Sequence, residues 1–242
     1  MIHMSKRSKV SVCLASYNGE KHIAAQLHSI LSQMGDSDEL IVSDNGSTDG
    51  TVEIVSGIHD PRLSLINCET AGVVANFQCA LMAASGDIII LSDQDDVWLP
   101  GRIDMALSDH ESCDLSVVNH IVVDEDLNPI NVASTRPSLS FLRNILKNHY
   151  LGCCMSFKKE TLQFFLPFPN GIPMHDWWIA SCCLLFYRVR LNPAKKILYR
   201  RHTSNASSTG MKSPYPMLTR LSWRFKLFYE IVSRFISRNL IG

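Results

Sequence analysis

The chain has 242 residues, 46% hydrophobic and 19% charged, with a formal net charge of zero. That composition excludes a disordered or fibrous chain and suits one sizeable globular domain. The charge is unevenly spread. Residues 1–176 hold 11 Lys/Arg against 22 Asp/Glu, and residues 177–242 hold 12 against the single Glu230. The basic end is expected either to meet an anionic surface or to neutralise the acidic body.

Residues 10–14 form a Val-rich apolar run expected to be a buried strand. After Asn18-Gly19, Ile23, Leu27, Ile30 and Leu31 recur at helical spacing, with Glu20 near the start, where the helix dipole favours an acid. Residues 40–43 read as a second strand. Asp44-Asn45-Gly46 breaks it, and Ser47 or Thr48 is expected to cap a helix carrying Val52 and Val55. A third strand over 63–66 precedes the helical stripe Val73, Phe77, Ala80, Leu81 and Ala84, which Ser85-Gly86 ends. Residues 88–91, apolar throughout, form a fourth strand covered on both faces.

This alternation specifies an α/β fold with a mostly parallel sheet flanked by helices, and ligands in such sheets bind beyond the carboxyl ends of the strands. Three polar strand ends therefore stand out: Ser16-Tyr17-Asn18, Asp44-Asn45 and Asp93-Gln94-Asp95-Asp96. Further on, strands are expected over 115–118, 121–123, 151–157 and 196–199, and helices over 141–148 and 179–186. A loop rich in Ser, Thr, Asn and Gly runs over 202–213. From Met217 onward Leu218, Leu221, Phe225, Phe228, Val232 and Phe235 fall on one helical face, with Arg220, Arg224, Lys226, Arg234 and Arg238 around it. Such a basic amphipathic helix fits a membrane surface or packs on the body with a solvated rim.

No leader sequence and no membrane span are expected. None of the eight cysteines forms a CxxC pair, and they are expected to be reduced thiols in a cytoplasmic protein. There is no GxGxxG, Walker A, serine nucleophile elbow or HExxH, which excludes the dinucleotide, ATPase, serine hydrolase and zinc protease classes.

The run Asp93-Gln94-Asp95-Asp96 crowds three carboxylates after a buried strand. A hard divalent cation, Mn²⁺ or Mg²⁺, relieves their repulsion and completes its shell with phosphate oxygens; a solvated acidic turn is the other reading. Asp44 accepts a hydrogen bond from a nucleobase or ribose, or else makes an Asx-turn. In His175-Asp176-Trp177-Trp178, Asp176 suits a general base and the tryptophans a platform for a sugar ring; helix capping and core packing are the alternatives. His202 is a metal ligand or a structural histidine.

These segments together resemble the family two glycosyltransferases of GT-A (Rossmann-like) fold over residues 8–210, with 211–242 as a separate basic amphipathic helical tail. Ala15-Ser16-Tyr17-Asn18-Gly19-Glu20 is similar to the family's nucleotide loop. Residues 41–51 are similar to its second motif, with Asn45 in place of a second acid. Leu91-Ser92-Asp93-Gln94-Asp95-Asp96 is similar to its DxD motif, Gly152 to its glycine loop, and Tyr199-Arg200-Arg201-His202 to its late histidine segment.

The resemblance implies a nucleotide-sugar donor held by Ser16, Tyr17, Asn18, Asp44 and Asp93. It implies Mn²⁺ or Mg²⁺ on Asp95, Asp96 and His202, Asp176 as catalytic base, and an acceptor at Gly152, Trp177 and Trp178. The bacterial branch it resembles most builds O antigens and other surface polysaccharides on undecaprenyl diphosphate. That implies a lipid-linked saccharide acceptor, peripheral contact with the cytoplasmic face of the inner membrane, and no nucleic acid. A UDP-hexose such as UDP-glucose is favoured as donor, with dTDP-rhamnose the alternative. A nucleotidyltransferase and a non-catalytic carbohydrate-binding module are the rival classes. The first needs an arginine-bearing glycine loop after the first strand, which is absent, and the second has no use for the intact acids.

Overall fold

The computed structural model describes residues 7–131, 136–202 and 215–241, with side chains to residue 237. Strand β1 (Val10–Ser16) is buried along its whole length, as a strand covered by helices on both faces must be. It is followed by α1 (Ile23–Leu31), β2 (Glu39–Asp44), α2 (Thr51–Ser56), β3 (Leu63–Asn67), α3 (Val73–Ala83) and β4 (Ile88–Asp93). Strands β1, β2, β3 and β4 run parallel. Their register sets Ser16 opposite Asp44 and Ala15 opposite Asp93, so the polar strand ends lie flush along one edge.

The second half extends the sheet. It contributes β5 (Val97–Trp98), α4 (Arg102–Asp109), β6 (Leu115–Val123), α5 (Phe141–Leu146), β7 (Met155–Lys158), α6 (Leu162–Phe165), α7 (His175–Phe186) and β8 (Val189–Arg200). The eight strands are ordered β3-β2-β1-β4-β7-β6-β8-β5, with β7 and β5 antiparallel to their neighbours. The sheet is thus mixed and mostly parallel. The long helix α8 (Met217–Ile241) lies on the α5 and α7 side.

Several local expectations change. Neither Ser47 nor Thr48 caps α2, which starts at Thr51 after Gly50 with no side-chain cap. Residues 115–123 form one strand whose register shifts around Asn119, not two strands. Residues 151–157 are a 3₁₀ turn, Gly152–Cys154, running into β7. The strand expected over 196–199 is the end of a 12-residue strand. Cys68 and Cys79 are joined as a disulfide, against the expectation of eight free thiols. The loop after His202 and the 210/211 boundary lie outside the described residues.

Helix α7 is apolar nearly all round, and every residue from His175 to Cys183 is buried. Asn144 of α5 donates to Ser181 at 2.9 Å, and Phe186 stacks on Phe235 of α8 at 5.3 Å. Arg234 of α8 donates to the carbonyls of Phe164 and Leu166 and lies 5.2 Å over the Trp178 ring. Helix α8 docks through Leu227 and Ile231, both buried. Most of its apolar stripe is turned to solvent, Leu218 80% exposed, Phe225 74% and Phe228 51%, with Phe235 at its edge touching Phe186. No described helix is long and apolar enough to cross a membrane.

This orientation predicts unequal substitutions. Leu227→Ala should cost about 2–5 kcal/mol in chemical denaturation, whereas Phe225→Ala should change stability by no more than about 0.5 kcal/mol. The reverse ranking would mean that the helix docks by its other face.

Candidate active site

The flush strand ends open into a cleft of about 1010 Å³. Ser16, Tyr17, Asn18, Asp93, Asp95, Gly152, Asp176 and His202 all line it. They come from β1, β4, the 3₁₀ turn, α7 and the exit of β8.

The first wall is a pair of interlocked loops. The Asn18 amide N–H donates to Ser47 Oγ at 2.9 Å, and Asn18 Oδ1 accepts from Thr48 N at 2.8 Å. Asp44 is almost fully buried and does not line the cleft. One of its oxygens accepts from Ser16 Oγ (2.9 Å) and Ser47 Oγ (2.6 Å), the other from Ser47 N (2.8 Å). The Asx-type reading of Asp44 describes this arrangement. Asn45 donates to the carbonyls of Cys68 and Thr70 and accepts from Gly72 N. A carboxylate has no proton to donate to those carbonyls, which explains the amide at this position.

The acid run divides. Asp95 Oδ2 lies 2.7 Å from His202 Nε2 on the cleft wall. Arg200 fixes the run's backbone, its Nε donating to Asp95 O at 2.8 Å. Asp96 faces inward and is fully buried. Its Oδ1 accepts from Arg200 N at 3.1 Å, and its Oδ2 has no partner among the described residues. Asp96, Asp93 and Cys153 place ligand atoms within 4.8 Å of one another. Burial, then the charges of Asp95 and Asp93, raise the pKa of Asp96 well above the carboxylate range. Burial, then Asp95 and Asp176, raise that of Asp93. Carboxylate oxygens beside an imidazole nitrogen form a donor set that fits Mn²⁺ or Mg²⁺. Of the three expected ligands, the structure brings Asp95 and His202 together and sets Asp96 behind them.

Asp176 sits in the first turn of α7, buried but lining the cleft. Its Oδ1 accepts from Asn148 Nδ2 at 2.9 Å and from Trp177 N at 2.6 Å. Burial pushes its pKa up to about 7 against these bonds, which favour the charged form. Beside it, His175 stacks on Phe77 at 4.0 Å, and burial lowers its pKa to about 3, so the ring is neutral. Neither of its ring nitrogens has a partner among the described residues. Gly152 is required here, because a Cβ would meet His175 Nε2 at 2.5 Å.

Trp177 and Trp178 are not part of the cleft. Both are buried in the core, and their indole N–H groups donate to Asn144 O and Phe165 O. The sugar platform expected from them is not placed there; burial of the whole first turn of α7 takes both rings inward.

Two site residues were not foreseen. Gln94 accepts from Tyr17 N at 2.8 Å and donates to Tyr17 O at 2.9 Å, clamping the first loop to the acid run. Its place between two acids at a strand exit was the available signal. Asn148, which holds Asp176, had none, because the packing of α5 on α7 delivers it.

Residues 11–165 match the model of Glycosyl transferase family 2. The chain is 31% identical to the Escherichia coli UDP-Glc:alpha-D-GlcNAc-diphosphoundecaprenol beta-1,3-glucosyltransferase WfgD, over 69% of this chain and 68% of that protein. It is 28% identical to the Shigella flexneri dTDP-rhamnosyl transferase RfbG, over 95% of this chain and 86% of that protein. The chain spans about two thirds of the length of the first curated relatives it matches. In fold it is similar to the mannosyltransferase PcManGT from Pyrobaculum calidifontis in complex with GDP-Man and Mn²⁺, with a TM-score of 0.59, 17% identity, and coverage of 98% of this chain and 77% of that one.

Proposed function

The chain belongs to glycosyl transferase family 2, and from that premise we propose that it is an inverting, metal-dependent hexosyltransferase acting on a lipid-linked saccharide. The observation that carries the reading is the convergence of Asp93, Asp95, His202 and Asp176 on one cleft. Ser16, Tyr17 and Asn18 form the nucleotide side, and Asp93 takes the ribose side. Asp44 braces this loop from behind through Ser16 and Ser47.

Asp95 and His202 would hold Mn²⁺ or Mg²⁺, with Asp96 supporting them from the buried side. Such a cation neutralises charge on a departing nucleotide diphosphate. Asp176 accepts the proton of the acceptor hydroxyl as its oxygen bonds to the anomeric carbon. The bond from that carbon to the diphosphate breaks in the same displacement, and the carbon inverts. Asn148 and the Trp177 amide fix the receiving carboxylate. His175, neutral and unpartnered, offers a hydrogen bond to a hydroxyl without adding charge.

Two relatives support the substrate class: one is named for UDP-glucose and a GlcNAc-diphosphoundecaprenol acceptor, the other for dTDP-rhamnose. The first supports a UDP-hexose donor and the second keeps dTDP-rhamnose as the alternative. A panel of nucleotide sugars offered with Mn²⁺ and a synthetic GlcNAc diphosphate lipid, with products read by mass spectrometry and NMR, tests the proposal. Consumption of sugar 1-phosphate and nucleoside triphosphate instead would establish a nucleotidyltransferase. The outward apolar stripe of α8 and its basic flanks support peripheral attachment to the cytoplasmic face of the inner membrane.

Four outcomes are expected. Asp176→Asn should lower kcat by about 10²–10⁴-fold with nucleotide affinity unchanged. In the wild type the base works only when deprotonated, so activity should rise with pH up to about 7 and then level off; a flat profile from pH 5 to 8 argues against the assignment. Asp95→Ala and EDTA should each abolish transfer, and full activity in EDTA would remove the metal from the mechanism. Anionic liposomes should sediment the intact chain but not a chain ending before Met217; equal sedimentation would clear α8 of that role.

A further inference from the structure

The stretch from Asn148 to Cys154 stands between two cavities. Asn148 holds Asp176, and Gly152 lines the cleft already described. His149 and Cys154 line a second cavity of about 920 Å³, and Leu151 lines both. The second cavity lies against β6 and β8, beside the register shift around Asn119. Its polar lining includes Asn119, His120, Asn131, Arg136 and His149, with no carboxylate among its lining residues.

The chemistry of this lining is one-sided. It offers a guanidinium, two imidazoles and side-chain amides, which suits a ligand carrying negative charge and hydroxyls. Two more cations act on His149: burial first, then the charges of Lys147 and Arg143, make it harder to protonate. An anion seated there would relieve that field. The segment following Arg136 carries three leucines open to solvent, Leu139 57%, Leu142 72% and Leu146 60% exposed. A ligand with a charged head and an apolar tail therefore finds both halves of its complement along one segment, from Arg136 to His149.

We propose that this second cavity binds the phosphate-bearing head of a saccharide diphosphate acceptor, with Arg136 and His149 on the phosphates and the leucines of α5 against the lipid. This rests on the glycosyltransferase reading and places the acceptor beside the stretch that holds the base. A guanidinium pairs with phosphate oxygens through two parallel bonds, which gives the head a fixed orientation as well as affinity. With the phosphates held there, the sugar is directed past Leu151 towards Asp176.

The test measures binding, not turnover. The full chain is saturated with UDP and Mn²⁺ to occupy the donor cleft, and two probes are titrated calorimetrically. One is GlcNAc diphosphate carrying a short alkyl chain; the other is the same alkyl glycoside of GlcNAc without phosphate. The wild type should bind the diphosphate probe about tenfold or more tightly than the glycoside, as expected for charge-assisted bonds. Arg136→Ala with His149→Ala should remove that preference while leaving glycoside and UDP affinities unchanged. A double variant that keeps the preference, a wild type that lacks it, or displacement of the probe by UDP would each overturn the proposal. Failure of the transferase reading would register differently: no hexose transfer across the donor panel, with the binding preference intact.

Discussion

The molecule is organised around an electrostatic problem, the crowding of like charges where little water reaches them. Asp93, Asp95, Asp96 and Asp176 crowd a site in which Asp96 and Asp176 are buried and Asp93 and Asp95 half-buried. Isolated carboxylates in such a setting cost several kcal/mol each. Protons and a cation are the two ways out, and in the proposed reading the acids divide between them. Asp96, deepest, is driven towards its neutral form. Asp95, on the wall beside His202, is available to a metal. Asp176, held by Asn148, is pushed by burial to about 7, which suits the base role proposed for it.

The fold supplies the rigidity that this arrangement needs. Parallel pairing of β1 with β2 and β4 fixes the strand ends level to within one residue. Short polar side chains then lock the loops that leave those ends: Ser47 and Thr48 to Asn18, and Gln94 to both sides of the Tyr17 peptide. Arg200 reaches back from the last strand to the acid run. Helix α7 arrives from the other side with its first turn buried, so that Asp176 is carried in at the cost of hiding Trp177 and Trp178. The site is thus built from backbone register and reciprocal hydrogen bonds more than from hydrophobic contacts.

Much of this is legible in the chain itself, and the limits have physical causes. The strands β1, β2 and β4 announce themselves because residues buried on both faces must be apolar, and their polar exits follow by contrast. The grouping of Asp93 and Asp95 with Ser16, Tyr17 and Asn18 in one cleft could be expected from where those exits fall, and that of Asp176 only from the family resemblance. The direction of a side chain could not. Helix α7 is apolar on every side, so its sequence carries no indication of which face is core, and the tryptophans turned inward. Helix α8 has a clear apolar stripe, yet the body takes Leu227 and Ile231 from its other side. Asn148 owes its role to the docking of α5, a tertiary event without local pattern. Asp44 was open between ligand and loop, and three internal hydrogen bonds now occupy it.

In the proposed scheme the donor enters over the nucleotide loops, the acceptor enters by the second cavity, and the two meet at Asp176. That scheme stands only if the crowded acids do share a cation with a nucleotide diphosphate. Crystals grown with UDP and Mn²⁺, measured at the manganese absorption edge, examine this directly. The account predicts one strong anomalous peak within coordination distance of Asp95 and His202 and in contact with the diphosphate. A peak elsewhere, or an ordered diphosphate with no metal beside these residues, would contradict it.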